Sequence, residues 1–141
     1  MVLVGPGQGG DNPMLAPLLK LLHVPRLGCG RPRNRPDKAL GDKAYSSRAN
    51  RALLRSRGIT AVIPEPRDQI ANRKRRGRRG GRPPGYDTEA YKNRNVVERA
   101  FNVFKDWRGL ASRYDKLALT YRGGVVLRAI LIWLRAIGDT P

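Results

Sequence analysis

The stretch ALGDKAYSSRANRALLRSRGITAVI, residues 39–63, decides the fold. Its first part, residues 39–42, has weak strand propensity, whereas the run ITAVI at residues 59–63 is the strongest β-branched run in the chain. A helical pattern lies between the two runs. Two strands joined through a helix by short connections predict a βαβ unit with a parallel strand pair. The sequence therefore predicts an α/β fold class.

The helix predicted inside this unit has sequence signals at both ends. Ser46 or Ser47 can cap its first turn, and Gly58 can end it. The apolar residues that we expect to face inward lie on one side of the helix: Ala49, Leu53 and Leu54.

The residues before this unit predict one more strand and one more helix. Residues 2–4, Val-Leu-Val, predict a short buried strand that ends at a glycine-rich turn. Asp11 or Asn12 can then cap a helix that has Pro13 near its start. The apolar face of that helix is expected to contain Met14, Leu15, Leu18, Leu19, Leu21 and Leu22.

The composition favours a polyanionic partner. The formal net charge of the 141 residues is +18, and arginine supplies 22 of the 29 cationic residues. Such a charge attracts DNA, RNA or an anionic membrane surface, and arginine suits forked contacts to phosphate. The single cysteine, Cys29, excludes an internal disulfide framework and a cysteine-based zinc finger. The single histidine, His23, has no second histidine at a spacing useful for a metal site.

Residues 66–86 form the most basic segment of the chain. We expect this segment to be flexible and disordered until a polyanion neutralises it, because self-repulsion and glycine entropy oppose folding. One interpretation is a charged, solvated linker, but the density of cations favours contact with nucleic acid. The candidate DNA-binding residues of this segment are Arg73, Lys74, Arg75, Arg76, Arg78 and Arg79.

Residues 91–105 contain neither glycine nor proline and predict a helix with a broad apolar side. Four polar residues fall within an arc of roughly 60° on that helix. They are Tyr91, Arg94, Glu98 and Lys105. The predicted helix therefore has one carboxylate flanked by two cations and a phenol.

A final helix is predicted from Leu117 to Ile137, after a break at residues 107–110. Its most apolar part is interrupted by Arg128 and Arg135 and is shorter than the roughly 20 residues that a membrane span needs. The first residues also lack the charged start and long apolar region of an export signal. We therefore expect a cytoplasmic protein without membrane contact.

Carboxylates are scarce, 11 against 29 cationic residues, and two of them lie at predicted elements. Asp42 lies at the carboxyl end of the first predicted strand, the edge where ligands bind in open α/β sheets, and Glu98 lies in the helix. Carboxylate oxygens can hold the two divalent cations that phosphodiester chemistry uses. Isolated carboxylates are also common as plain surface residues, so both interpretations stay open.

Two motifs resemble those of bacterial insertion-sequence transposases of the DDE type. The spacing Tyr91-x2-Arg94-x3-Glu98-x6-Lys105 resembles the signature of the third acidic residue in that family. The motif GDKAY, residues 41–45, resembles the segment around the second catalytic aspartate.

The resemblance extends over nearly the whole chain and is closest to the insertion-sequence-five-like group. Residues 53–64 are similar to the passage from helix to strand in the family, and residues 5–11 to the turn after its third strand. The resemblance implies a ribonuclease-H-like domain whose acidic triad binds two Mg²⁺ (or Mn²⁺) ions. It also implies an enzyme that cuts DNA at transposon ends and joins the freed 3′ hydroxyl to target DNA.

The resemblance assigns roles to five residues. Asp42 matches the second metal ligand and Glu98 the third, and both would be catalytic. Tyr91, Arg94 and Lys105 match the residues that hold transposon-end DNA.

The chain departs from the family at its beginning. The first aspartate of the family lies on its first strand, upstream of the strand that residues 2–4 resemble, so the chain starts too late to contain it. We therefore expect residues 1–141 to be the C-terminal part of an incomplete ribonuclease-H-like domain. Its mixed sheet would lack the first two strands and would have flanking helices and a basic disordered insertion. Asp11 is an alternative ligand, although it aligns with a turn.

We expect negligible strand transfer by this chain alone, and a partner that is the N-terminal transposase fragment or another transposase chain. Two other classes of protein stay open. A non-catalytic DNA-binding protein would bind DNA equally well without magnesium and after Asp42→Ala or Glu98→Ala. An inert remnant of a broken transposase gene would not fold cooperatively.

Overall fold

The computed structural model describes residues 2–6 and 8–138, and the chain divides into two compact units. The first, Gln8–Arg94, is called the sheet unit below. The second consists of the described residues of 1–7 and 95–141 and is called the helical unit. In the part of the chain that the structure describes, every helix is too short or too polar to cross a membrane.

The sheet unit begins with the helix predicted after Asp11. A 3₁₀ turn (Asn12–Met14) leads into helix α1 (Leu15–Leu21). The Asp11 side chain makes no capping hydrogen bond, so the cap predicted at Asp11 is not formed. The apolar face is also narrower than predicted, because Leu19 is buried but Leu21 is half exposed.

The sheet unit contains the predicted βαβ unit. Strand β1 (Lys38–Leu40) pairs in parallel with strand β2 (Thr60–Val62), and Ala39 lies opposite Ala61. Helix α2 (Arg48–Ser56) connects the two strands. The prediction of a parallel pair is confirmed, and the protein is a mixed α/β protein with a two-stranded sheet in its described residues.

Both ends of α2 lie where the sequence predicts them. The Ser47 hydroxyl accepts the backbone N–H of Asn50 at 3.1 Å and so caps the first turn. Gly58, with a φ of 64°, ends the helix in the left-handed region. Leu54 is fully buried, as predicted, but Ala49 is exposed, so the prediction that Ala49 faces inward is wrong.

The core of the sheet unit lies between the helices and one face of the sheet. Its four buried side chains are Leu19, Leu54, Ile59 and Ile63. The two isoleucines flank β2 and share a face because side chains alternate along a strand. The Arg57 guanidinium donates to the carbonyl oxygen of Leu19 at 3.0 Å, which satisfies a group at the end of α1.

The structure forms a helix in the basic segment that the sequence predicts to be disordered. Helix α3 spans Arg67–Arg75. The side-chain amide of Gln69 donates to the carbonyl oxygen of Ser46 at 2.8 Å, and Arg73 forms an ion pair with Glu65. These contacts attach α3 to the rest of the sheet unit, and composition alone does not reveal them.

The helix predicted over residues 91–105 is interrupted in the structure. Helix α4 (Thr88–Lys92) ends before helix α5 (Asn95–Lys105) begins. Between them, the backbone N–H of Arg94 bonds the carbonyl oxygen of Tyr91 at 2.9 Å, three residues back and not four. This tighter turn ends α4, so the prediction of one continuous helix is wrong.

The helical unit consists mainly of α5 and of two further helices. Helix α6 (Arg108–Ala111) occupies most of the predicted break, so the chain there is a short helix and not a loop. Helix α7 (Ala118–Ala136) confirms the final predicted helix to within one residue at each end.

Residues 2–4 do not form the predicted buried strand. They are half-buried and have no regular structure. A strand needs the backbone hydrogen bonds of a neighbouring strand, and in the described residues β1 and β2 pair only with each other. The prediction of a strand at residues 2–4 is therefore wrong.

Candidate functional site

Asp42 lies at the carboxyl edge of the sheet, as the sequence predicts. It follows the end of β1 by two residues, and its side chain is exposed. Its Oδ1 atom accepts the backbone N–H of Ala44 at 3.0 Å, so Asp42 caps a 3₁₀ turn at Lys43–Tyr45. This bond fixes the carboxylate at the edge where the parallel strands end.

Tyr45 lies beside two carboxylates. Burial of the phenol raises its pKa, and the negative charges of Asp11 and Asp42 raise the same pKa further. The two aspartates therefore share one electrostatic neighbourhood, although they are 31 residues apart in sequence. Both effects oppose ionisation of the phenol, so the Tyr45 hydroxyl stays protonated to a higher pH than an ordinary tyrosine.

The buried side chain of Asn50 holds this neighbourhood together. Its Nδ2 atom donates to Asn12 Oδ1 at 2.8 Å and approaches the carbonyl oxygen of Tyr45 at 3.3 Å. Asn50 therefore links Asn12, the neighbour of Asp11, to Tyr45, the last residue of the 3₁₀ turn that Asp42 caps. Sequence reasoning missed Asn50 and Tyr45, although a polar residue in the first turn of α2 and a tyrosine inside GDKAY were the available signals.

The four residues of the motif that runs from Tyr91 to Lys105 belong to two different units of the structure. Tyr91 and Arg94 belong to the sheet unit, where the Arg94 guanidinium carbon lies 5.6 Å from the centre of the Tyr91 ring. Glu98 and Lys105 are exposed residues of α5 in the helical unit. They are seven residues apart, so they lie on the same side of that helix.

The predicted metal ligands have suitable chemistry but are only two in number. Asp42 and Glu98 are exposed carboxylates, and hard oxygen donors are what Mg²⁺ and Mn²⁺ prefer. Within residues 2–6 and 8–138, no three residues of the types Asp, Glu, His and Cys are grouped as a metal site. The donor type therefore fits a divalent cation, whereas a three-carboxylate set is not assembled in the described part of the chain.

The basic segment contains arginines in two different environments. Arg73 pairs with Glu65, and their side chains are only 19% and 17% exposed. After α3, a 3₁₀ turn (Gly77–Gly80) brings four arginines to one concave surface, which we call the arginine groove. The groove is lined by Arg75, Arg76, Arg78 and Arg79.

Comparison with known families identifies the family of the chain. A sequence model described as "Transposase DDE domain" matches residues 1–133. The chain belongs to the transposase DDE domain family. The resemblance carried by GDKAY and by the Tyr91 to Lys105 spacing is thereby confirmed at the level of the family. No curated protein and no solved structure matches the chain.

Membership of this family indicates the substrate and the metal chemistry that are general for DDE domains. DDE transposases act on DNA, and the family generally uses a divalent metal. In this DDE domain, an aspartate is fixed at a sheet edge and a cationic surface suits a polyanion. DNA transposition is the general process to which such a domain belongs.

Proposed function

We propose that this DDE domain cuts transposon-end DNA and joins its 3′ hydroxyl to target DNA, as part of a larger active assembly. The observation that carries the proposal is Asp42, fixed by Ala44 at the carboxyl edge of a parallel strand pair inside the GDKAY motif. We place the chain in the insertion-sequence-five-like group, as the C-terminal part of a ribonuclease-H-like domain.

Asp42 and Glu98 would hold the divalent cation, Mg²⁺ or Mn²⁺. When bound, such a cation activates the attacking water or hydroxyl and stabilises the leaving oxygen of the phosphodiester. The two carboxylates contribute hard oxygen ligands and offset the cationic charge of the surrounding protein. The neighbouring Tyr45 hydroxyl, which is protonated at neutral pH as any tyrosine is, could donate to a phosphate oxygen.

The two cations of the motif that runs from Tyr91 to Lys105, Arg94 and Lys105, would bind the DNA backbone. Lys105 lies two turns from Glu98 on the same side of α5, so a phosphate held by Lys105 would lie on the helix side that carries this carboxylate. Arg94, stacked near the Tyr91 ring, presents a guanidinium whose orientation that ring limits. Positioning a phosphate next to the reacting bond is itself a large part of catalysis in phosphoryl transfer.

The catalytic site would be completed by another polypeptide segment. Asp42 and Glu98 would supply two of the three carboxylates that the resemblance implies, and the described residues contain no group of three metal-ligating side chains. The first acidic ligand would come from the N-terminal transposase fragment or from a second transposase chain. This chain alone would then bind DNA and perform no strand transfer.

A second candidate function is DNA binding without catalysis. The arginine groove favours it, because four clustered guanidinium groups bind phosphate without any metal ion. The two functions differ in their dependence on magnesium and on Asp42.

A nicking assay on labelled transposon-end DNA separates these functions. The residue 1–141 chain is tested alone and mixed with the N-terminal transposase fragment, with and without Mg²⁺. We expect nicking only in the mixture with Mg²⁺, lost in Asp42→Asn and Glu98→Gln and retained in the matched control Asp115→Asn, an exposed loop carboxylate. Nicking by the residue 1–141 chain alone would overturn the proposal that its catalytic site is incomplete. Nicking by the mixture that survives Asp42→Asn would overturn the assignment of Asp42, and magnesium-independent binding without any nicking would favour the non-catalytic function.

A further inference from the structure

The arginine groove has a defined backbone shape. Helix α3 ends at Arg75, and the chain turns at Gly77, whose φ is 53°. The following 3₁₀ turn folds back towards α3 and ends at Gly81, whose φ is 75°. Both glycines adopt a left-handed conformation that other residues rarely adopt. The four arginines of the groove are therefore displayed by an ordered turn.

Gly80 makes this fold-back possible. A Cβ atom added at Gly80 would overlap the carbonyl oxygen of Arg73 and would lie 3.0 Å from the carbonyl carbon of that residue. Backbone atoms of a helix cannot move aside as the end of a flexible side chain can. Only glycine therefore allows the turn to lie this close to α3.

Arg73 supports the same turn from inside the sheet unit. Its guanidinium pairs with Glu65, which follows β2, and both side chains are more than four-fifths buried. An arginine engaged in this way is not presented to DNA. The pair holds α3 near the end of β2, and both carboxylate oxygens of Glu65 accept from the Nη1 atom of Arg73.

The anchoring contacts of α3 lead to the edge of the sheet that contains Asp42. The side-chain amide of Gln69 donates to the carbonyl oxygen of Ser46 at 2.8 Å, and the Ser46 hydroxyl donates back to Gln69 Oε1 at 3.1 Å. Ser46 directly follows the 3₁₀ turn that Asp42 caps. A contiguous set of contacts therefore joins the arginine groove to the candidate catalytic edge within one unit.

We propose that the arginine groove is a preformed site for the phosphate backbone of DNA, shaped by Gly80 and by the Arg73–Glu65 pair. Its contacts are Arg75, Arg76, Arg78 and Arg79, whereas Arg73 is a positioning residue. Four like charges held at the end of α3 and on the turn that follows it repel one another, and phosphate groups bound between them relieve that repulsion. The inference rests on the proposed function, because it concerns how this domain holds DNA beside Asp42.

The decisive variant is Gly80→Ala, because it leaves every charge in place. Its matched control is Gly85→Ala in the same segment, where an added Cβ atom meets nothing within 4 Å. The affinity of the residue 1–141 chain for duplex DNA is measured by fluorescence anisotropy at several salt concentrations. We expect Gly80→Ala to bind severalfold more weakly, and we expect the magnitude of the negative slope of log K against log salt to fall by about one unit or more. Gly85→Ala should match the unmodified chain in both quantities.

Glu65→Gln tests the positioning role of Arg73 in the opposite sense. It removes a negative charge, so a site that depended on net charge alone would bind DNA more tightly. We expect weaker binding and a shallower salt slope, because Arg73 loses the partner that holds α3 in place. Circular dichroism of each variant at the binding temperature shows whether the sheet unit is still folded.

The outcomes separate this inference from the proposed function. Two results would overturn the proposal of a preformed site while the unmodified chain still binds duplex DNA. One is equal binding by Gly80→Ala and Gly85→Ala, and the other is tighter binding by Glu65→Gln. Either result would leave DNA binding by net charge alone. If the unmodified chain shows no salt-dependent binding to duplex DNA, the proposed function fails with it. Tighter binding to single-stranded RNA than to duplex DNA would also overturn the assignment of the ligand.

Discussion

The guanidinium of Arg128 donates two hydrogen bonds to the carbonyl oxygen of Val103, from Nε at 3.2 Å and from Nη2 at 2.8 Å. These bonds join α7 to α5. The same guanidinium carbon lies 5.3 Å from the centre of the Trp107 ring, and Arg128 is only 5% exposed. The charge that interrupts the most apolar run of the sequence is therefore an internal contact of the helical unit, and not part of the cationic surface.

We expect Arg128→Met to destabilise the helical unit. The variant keeps an apolar stem of similar length but leaves the carbonyl oxygen of Val103 without its donors, at a cost of about 1–3 kcal/mol. Urea unfolding followed by circular dichroism measures the change. The control is Arg135→Met, an exposed residue of the same helix, which should unfold like the unmodified chain. Equal unfolding of the two variants would show that Arg128 does not join the helices.

Local sequence signals predicted the βαβ unit because each of its parts is specified locally. Ser47 caps α2 through a residue three positions away, and Gly58 ends α2 through its own backbone conformation. The position of Asp42 followed from the same logic, since the end of a strand can be read from the residues around it.

The structure of residues 66–86 could not be predicted in this way. Composition indicates disorder there, but α3 is held by Glu65 and Ser46, which precede it in the chain and lie outside the segment. The break before α5 was missed for a related reason. Asn93 is only a weak helix former and does not by itself predict a break, and the tight turn there is visible only in the backbone hydrogen bonds.

The core of the sheet unit should be sensitive to loss of side-chain volume. Leu54 is fully buried in the core cluster between the helices and the sheet, so Leu54→Ala should lower the free energy of unfolding by about 2–5 kcal/mol. Leu27→Ala is the matched control, because Leu27 is fully exposed and should contribute almost nothing. Thermal unfolding of both variants measures the difference. A small and equal effect would mean that the sheet unit has no cooperative core, as expected of an inert remnant.

Asp87 should make the start of α4 sensitive to acid. Its carboxylate accepts the backbone N–H of Ala90 at 2.9 Å and pairs with Lys38 at 2.9 Å. The Ala90 amide, followed by Lys38, holds the pKa of Asp87 below its ordinary value of 3.8. A carboxyl group with a lowered pKa stabilises the folded state above its unfolded pKa, and that stability is lost as the pH falls below 3.8.

Two substitutions separate the contribution of the capping hydrogen bond to Ala90 from that of the ion pair with Lys38. Asp87→Asn keeps an acceptor for the Ala90 amide but loses the attraction to Lys38, whereas Asp87→Ala loses both. We expect the thermal midpoint at neutral pH to fall more for Asp87→Ala than for Asp87→Asn, and both variants to lose less stability on acidification than the unmodified chain. If Asp87→Ala loses as much thermal stability on acidification as the unmodified chain, the loss is due to other carboxylates and not to Asp87.

Tyr45 reports whether Asp11 and Asp42 lie beside the same phenol. Burial, then Asp11 and Asp42, raise its pKa above 10.0, so its contribution to stability is fully present below pH 10.0 and is lost as the pH rises through the folded-state pKa. Ultraviolet titration, with Tyr45→Phe to identify the signal, measures that pKa. We expect Asp42→Asn and Asp11→Asn each to lower it towards 10.0, because each removes a negative charge that opposes ionisation. Asp68→Asn, an exposed carboxylate on α3, should leave it unchanged. If Asp11→Asn behaves like Asp68→Asn, Asp11 does not share the environment of Asp42 and is excluded as an alternative ligand there.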